Sequence, residues 1–447
     1  MEAVDPNCST LVPAFAKPDR IAERPVLVLG AGPAGIAAGL ALGAAGVVLD
    51  AAATPGGLCR TIKFEGAVFD WGGHSFHTPH PEIRDLIFQS LAMYEQPRQA
   101  FCFVGGALIP YPFQAHFQQV ADPTLVRECH QGLRVADGAS GAGDFKEWTL
   151  RKFGPGIARH FLLPYNRKLW GCDLQRLAVD WTSERVAGAR HTRENLATTG
   201  GRRTPLQADN TVAYPAYGGF GEITVALARR LPCLRLGRKV MSIDPLRREM
   251  LTSRGEILRW RQIVSTLPLD ELIGLLPDVP TRIVDAASCL EALRLVLVLV
   301  VVTRQVEHPV QRVYCAGDEI PAHKIVVNHN SSPSLRSLPR HGILAEISAP
   351  PGFDVSDCDL QARVVEGLCK IGLLRTPGDV CAIQTLHVAR AYPVPTHTRS
   401  DAVRELRAWL EERQIYLAGR FGEWAYINAD EALHRGLKLG QRLLGKS

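Results

Sequence analysis

The chain has 447 residues, 46% of them hydrophobic and 21% charged, with 51 Lys and Arg against 45 Asp and Glu. That length argues for more than one globular unit, and the composition, with 40 Gly and 30 Pro, excludes disordered and collagen-like chains. A net charge of +6 is too dilute for a nucleic-acid surface, which needs clustered basic residues, but it suits one local anionic ligand.

Residues Met1 to Pro25 lack the apolar block of a secretory signal and read as a loose tail, so no export is implied. The 11 cysteines are scattered and never fall in a C-x-x-C spacing, which favours reduced thiols in a cytoplasmic protein over disulfides or zinc. The most apolar run, Leu295 to Val302, is far shorter than the roughly 20 residues of a bilayer span. Its β-branched content predicts a buried strand, and no membrane partner is expected.

In chain order, Val26 to Leu29 is an apolar strand, Gly30-Ala-Gly-Pro-Ala-Gly35 a turn, Ile36 to Ala45 an Ala-rich helix and Val47 to Asp50 a second strand. Strand, glycine turn, helix and strand open a parallel α/β sheet. Short aromatic strands follow at 101–104 and 108–111, and helix-compatible spacing dominates from Phe145 to Arg190. Gly200-Gly-Arg-Arg-Thr-Pro reads as a mobile surface loop. Val240 to Ile243 and Arg261 to Leu267 bracket a hairpin around Ser253-Arg-Gly-Glu and are expected to return to the first sheet. The stretch from Leu293 to Ile347 is strand-rich, and the C-terminus closes with strand Ile415 to Ala418, a glycine turn and a helix from about Asp430.

The expected fold class is α/β: a Rossmann-type FAD-binding domain with a helical subdomain and an antiparallel β-sheet substrate domain. The expected boundaries, after tail 1–25, are 26–98, 206–290 and 399–447 for the FAD-binding domain, 99–115 and 291–398 for the substrate sheet, and 116–205 for the helical part.

Gly30, Gly32 and Gly35 lie between strand and helix, and Asp50 closes the next strand. Gly30 permits the tight turn, Gly32 lets backbone approach a pyrophosphate, and Gly35 lets the helix pack closely. Asp50 stands at about the ~20-residue offset at which a carboxylate accepts from ribose hydroxyls. Gly56-Gly57-Leu58 and Gly72-Gly73-His74 then follow, and such doublets suit backbone against a large ligand. This pairing resembles the FAD-binding sequence of the flavin amine oxidase and sugar mutase group.

Four further blocks sharpen the likeness: Tyr111-Pro-Phe-Gln114, Pro164-Tyr-Asn-Arg-Lys-Leu-Trp170, Trp181-Thr-Ser-Glu-Arg185 and Arg420-Phe-Gly-Glu-Trp-Ala-Tyr426. In order from about Val26 to Gly440, the chain resembles the UDP-galactopyranose mutases, particularly the eukaryotic-type sequences. The resemblance implies a flavoprotein whose reduced flavin N5 forms a covalent adduct with the anomeric carbon of a nucleotide sugar, so that pyranose and furanose exchange without net redox change. NAD(P)H only reduces the FAD.

The resemblance implies that Arg185 clamps the diphosphate with Tyr392 and Tyr426. It also implies that Asn166 and Trp170 shape the sugar end, and that Tyr111, Phe113 and Gln114 hold the nucleobase, with Tyr314 among the substrate contacts. Gly73 and His74 would face flavin N5, the Val240 backbone the adenine, and Arg420 with Asp430 the pyrophosphate and isoalloxazine. Blander alternatives stand beside these: a surface ion pair of Arg185 with Glu184, core tyrosines, Trp170 as core, and an edge strand around Tyr111. His74, His77 and His80 have a metal-like spacing, but Pro79 and Pro81 and the lack of a nearby carboxylate or thiol set argue against zinc.

Two departures stand out. Lys324 occupies the place of a second diphosphate-binding arginine, and an ammonium is no substitute for a bidentate fork. Arg312 replaces an aromatic residue near the pocket. His74, Arg185 and Lys324 are the catalytic candidates. A nucleotide-sugar substrate and a monomer or homodimer are expected, and the competing reading is an FAD-dependent oxidoreductase acting on a sugar, amine or polyol.

Overall fold

A computed structural model describes residues 25–138, 140–186 and 211–445. The expected tail and the Arg-rich loop around Gly200 lie outside the described residues, apart from Pro25.

Five parallel strands form the first sheet, in the order Ile415–Leu417, Gln262–Ser265, Val26–Leu29, Gly46–Leu49, Leu234–Arg235. Val26–Leu29 is buried along its whole length, which is why it reads as a continuous apolar run and not as an alternating one. Helix Pro33–Leu42 begins three residues earlier than its apolar pattern suggests, because proline is tolerated in the first turn, where its missing N–H is no loss. It packs against Ala429–Leu443 at close range. A side chain at Gly440 would stand 2.7 Å from the Ala38 carbonyl oxygen.

The second sheet has seven strands, in the order Val380–Pro393, Ala292–Val302, His341–Ala349, Lys324–Val326, Arg312–Cys315, Ala100–Val104, Ala107–Pro110. Every joint is antiparallel except that between Arg312–Cys315 and Ala100–Val104, which is parallel. Leu293, Leu295, Leu297 and Leu299 point into a core shared with the helical segments. Val296, Val298, Val300 and Val302 point to the opposite face, which is covered by helix Asp357–Ile371. Both faces are therefore buried, and the period of two disappears from the hydropathy of the strand.

The helical part holds Pro123–Arg134 and Phe145–Ile157, capped by Asp122 and Asp144, whose carboxylates accept from Thr124 N at 2.8 Å and Glu147 N at 2.9 Å. A turn of π-helix at Ala158–Leu162 leads into Leu163–Trp170, which ends at left-handed Gly171.

One expectation is corrected. Gln262–Ser265 does join the parallel sheet, but Val240–Asp244 forms a separate three-stranded antiparallel sheet with Glu249–Thr252 and Ile257–Arg259. The Ser253-Arg-Gly-Glu turn, with Gly255 at φ +73°, joins the second and third of these strands, so Val240–Asp244 is drawn into the meander.

Candidate active site

Gly30, Asp50, Thr266 and Gly419 all lie just beyond the carboxyl ends of the parallel strands, where α/β sheets hold their ligands. Together with Gly32, Ala34 and Gly57 they line a cavity of about 230 Å3. Gly30 has φ +102°, and a Cβ there would collide with the Thr266 hydroxyl, so the turn requires glycine. Gly35 does not line the cavity; it lets the helix press against the Gly30 carbonyl. Asp50 accepts from the backbone N–H of Ala31 at 2.6 Å and of Ala52 at 2.7 Å. It thus pins the turn and keeps lone pairs for a ribose. The glycine-lined cradle, the helix N-terminus and the positioned carboxylate fit FAD.

Leu58, His74, Arg420, Asn428 and Ala429 line both this cavity and a second one of about 270 Å3. The second cavity is walled by the seven-stranded sheet, the helical segment and the C-terminal loop. It gathers Tyr111, Gln114, Asn166, Arg185, Tyr314, Lys324, Tyr392 and Tyr426 beside Gly73 and His74.

Arg185 lies at 4.0 Å from the Tyr426 ring centroid, donates from Nε to the Tyr426 carbonyl at 2.9 Å and from Nη1 to Asn428 Oδ1 at 2.5 Å. This is a guanidinium held by neutral partners, with N–H groups left for an anion. Arg420 is fixed by the Ile427 and Ala391 carbonyls, and burial, with Arg185 nearby, lowers its pKa. Asn166 donates to the Leu162 carbonyl at 2.8 Å, which ties its amide nitrogen to the backbone one turn earlier.

His74 stacks on Phe220 at 4.9 Å, and its Nδ1 is 3.0 Å from the Gly72 carbonyl. A carbonyl only accepts, so the proton sits on Nδ1 and Nε2 carries the lone pair. Burial, then Lys324, pushes the His74 pKa down to about 3, so the ring is neutral at physiological pH.

Lys324 is not a free cation. Its Nζ is 2.8 Å from Glu346 Oε2, a carboxylate with no exposed surface in the middle of strand His341–Ala349. Gly73 N donates to Glu346 Oε1 at 2.5 Å and Tyr392 donates its hydroxyl to Oε2 at 3.4 Å. Burial alone would raise the Glu346 pKa, but Lys324 and His323 hold it well below the ordinary range. Burial likewise works against the Lys324 charge, and Glu346 with Tyr392 keeps it protonated.

Several expected residues lie elsewhere. Phe113 and Trp170 are fully buried and line neither cavity. Trp170 packs edge-on behind Tyr426 at 5.1 Å and behind Trp181 at 5.4 Å, so it supports the wall. Gly56, at φ +123°, shapes the turn before Gly57. Val240 does not line the glycine-rich cavity, and its side chain is buried with Leu29 and Leu49, so only its backbone is left for a ligand contact. Asp430 faces Thr78 and His77, not either cavity, and burial raises its pKa. His80 is directed to Glu431 at 2.8 Å and stacks on His434 at 3.7 Å, away from His74.

Sequence reasoning missed Arg98, His323 and Glu346. A lone carboxylate inside the apolar run Ile343 to Ala349 was a usable signal, since an unpartnered buried charge is prohibitively costly. It also missed Asp70, which joins Thr61, Tyr214 and the Phe220 N–H at 2.9, 2.6 and 2.8 Å and braces the loop carrying His74.

Residues 33–353 match the family model of flavin containing amine oxidoreductases. The chain belongs to that family. Its fold is similar to that of a reduced UDP-galactopyranose mutase, with TM-score 0.87 and 24% identity over 95% of this chain and 96% of the other. It is also similar to a cyclohexylamine oxidase from Brevibacterium oxydans, with TM-score 0.69 and 16% identity over 94% and 99%. A putrescine oxidase bound to putrescine matches at TM-score 0.65 and 15% identity over 94% and 99%. Family membership implies a flavin-binding enzyme, and both oxidases and a mutase share its fold. Among the described residues, no helix is long and apolar enough to cross a membrane.

Proposed function

We propose that this flavoprotein is a nucleotide-sugar mutase that interconverts the pyranose and furanose forms of a UDP-hexose or a related nucleotide sugar. One observation carries the reading. Arg98, Arg185, Arg312, Lys324 and Arg420 line the substrate cavity, and among the described residues none that lines it is Asp or Glu. Such a cleft attracts a diphosphate and repels the ammonium of an amine.

Gly30, Gly32, Asp50 and Gly57 would hold FAD, which when reduced by NAD(P)H would supply the nucleophile for exchange at the anomeric carbon. The residues of this chain bind, orient and hold protons. Arg185, with Tyr426 and Tyr392 beside it, receives the diphosphate. Tyr111 offers a ring face and Gln114 an amide to the nucleobase. The Asn166 amide oxygen and the neutral His74 Nε2 are acceptors for sugar hydroxyls at the cofactor end. Since His74 stays unprotonated, it accepts a hydrogen bond at Nε2 and delivers no proton at neutral pH.

A second reading, an FAD-dependent oxidoreductase acting on a sugar or polyol, draws on the Lys324–Glu346 pair, which neutralises the cation expected at the second phosphate. The two separate on incubation with UDP-galactopyranose. The mutase reading expects UDP-galactofuranose to form with dithionite-reduced protein only; hydrogen peroxide in air without ring interconversion would reject it for that sugar.

A further inference from the structure

The positive charge of the chain is concentrated in one place. Between Arg235 and Arg261, eight Lys or Arg stand against three Asp or Glu, a surplus of five in a chain whose net charge is +6. This stretch carries the three-stranded antiparallel sheet of Val240–Asp244, Glu249–Thr252 and Ile257–Arg259. Each of its carboxylates faces an arginine: Glu256 with Arg238 at 2.8 Å, Glu249 with Arg259 at 3.5 Å and Asp244 with Arg247 at 3.7 Å. Lys239, Arg254 and Arg261 are exposed and have no carboxylate partner among the described residues.

The two faces of this sheet differ. Val240, Ile243 and Met250 lie in one core with Leu27 and Leu49. Leu251 pairs across the sheet with Ser242 on one side and Ile257 on the other, so these three share the outer face. Met241, in the bulge beside Ser242, is exposed with them. Ile257 is 64% exposed, and Leu246, in the turn between the first two strands, is 93% exposed. Four of the eight large apolar side chains exposed among the described residues therefore fall in this one meander.

The turn holds Leu246 outward. Asp244 Oδ1 accepts from Leu246 N and Arg247 N at 2.9 Å. Arg248, at φ +57°, lies 4.7 Å from the Trp260 ring centroid and donates to the Arg413 carbonyl at 2.9 Å. A tip fixed in this way loses little freedom on docking. Cations stand at both ends of the apolar row. Lys239 and Arg254 lie at one end, where Ser253 N donates to the Lys239 carbonyl at 2.8 Å, and Arg247 lies beside Leu246 at the other. An acidic protein or a nucleic acid would use the cations and leave the apolar row in water. A bilayer with anionic headgroups takes both, the apolar side chains at the acyl boundary and the cations among the phosphates.

We infer that the outer face of this meander docks on the surface of a bilayer that carries anionic phospholipid. The expectation of no membrane partner concerned a spanning segment, and among the described residues no helix can span; a docked sheet lies on the bilayer and needs none.

Sedimentation of the FAD-loaded protein with vesicles tests it, with phosphatidylcholine alone or mixed in equal parts with phosphatidylserine. Affinity for the mixed vesicles should exceed that for phosphatidylcholine by at least about tenfold. Lys239→Glu combined with Arg254→Glu should weaken binding to mixed vesicles by at least about a hundredfold, and Leu246→Ser combined with Ile257→Ser by at least about tenfold. Val135→Ser, an exposed apolar position on the helical part, should leave it unchanged. Retained flavin absorbance reports that each variant is folded. No binding, equal binding to both vesicles, or a loss as large in Val135→Ser overturns the inference. Loss confined to the charge pair assigns the face to an acidic macromolecule and overturns the lipid, and undiminished binding of the charge pair overturns the docking face itself.

Discussion

Glu346→Gln, Lys324→Met and the double substitution together measure the buried ion pair in the sheet wall of the cleft. At 2.8 Å and an effective dielectric of about 20, the direct attraction is about 6 kcal/mol. Burial of both ions offsets much of it, but removing one partner strands the other charge and destabilises by about 3–5 kcal/mol. Glu346→Gln leaves the Lys324 ammonium facing an amide, and Lys324→Met leaves Glu346 with Gly73, Tyr392 and His323. The double variant strands neither charge. The expected coupling, read by urea unfolding at a fixed excess of FAD so that ligation does not differ, is about 2–3 kcal/mol. Glu346 has its pKa lowered from 4.5, so its contribution is present above that value and lost as pH falls through the folded pKa. Lys324 has its pKa raised from 10.5, so its contribution is present below that value and lost as pH rises through the folded pKa. The coupling should therefore be flat from about pH 6 to 9. Single effects that simply add to within about 0.5 kcal/mol would refute the pairing.

Arg185→Ala should weaken UDP binding by at least about a hundredfold, as expected for a lost charge-assisted clamp, with FAD retained; unchanged affinity in a fluorescence titration would misassign the clamp. Asp70 is raised by burial from 3.8 to about 6, so between those values the folded state binds more protons and stability falls as pH rises. The unfolding free energy of the native protein, measured against Asp70→Asn, should thus gain as pH drops from about 6 to 4, and a constant difference would contradict that burial. His74 has its pKa lowered from 6.5 to about 3, so UDP affinity should show no His74-dependent step near 6.5; a step abolished by His74→Gln would contradict the neutral ring. Gly57→Ala should lose FAD, because Gly57 has φ +55° and its added methyl would stand 3.2 Å from the Gly32 Cα; full flavin content would displace the cradle.

The cofactor cradle was legible because its chemistry is local. Gly30, Gly32, Gly35 and Asp50 are bound by the geometry of one strand–turn–helix–strand unit, and the apolar run from Val26 announces the buried parallel strand. The substrate wall was legible only through resemblance, since Arg185, Tyr314, Tyr392 and Tyr426 come from segments far apart in the chain, and no local pattern brings them together. Trp170 and Phe113 stand behind the cavity lining for the same reason: a motif says that residues share a neighbourhood but not which side of the wall each faces. The Lys324–Glu346 pair depends on the register of two antiparallel strands, with Lys324 directly across from Glu346, a match that tertiary pairing alone decides.

The most direct test of the mutase reading follows furanose formation and oxygen uptake in one sample of FAD-loaded protein given UDP-galactopyranose. The reading predicts ring interconversion that starts on anaerobic reduction, stops when air reoxidises the flavin and resumes on re-reduction, with no oxygen consumed per product. Product formation in step with oxygen uptake, and none in the reduced anaerobic sample, would contradict it.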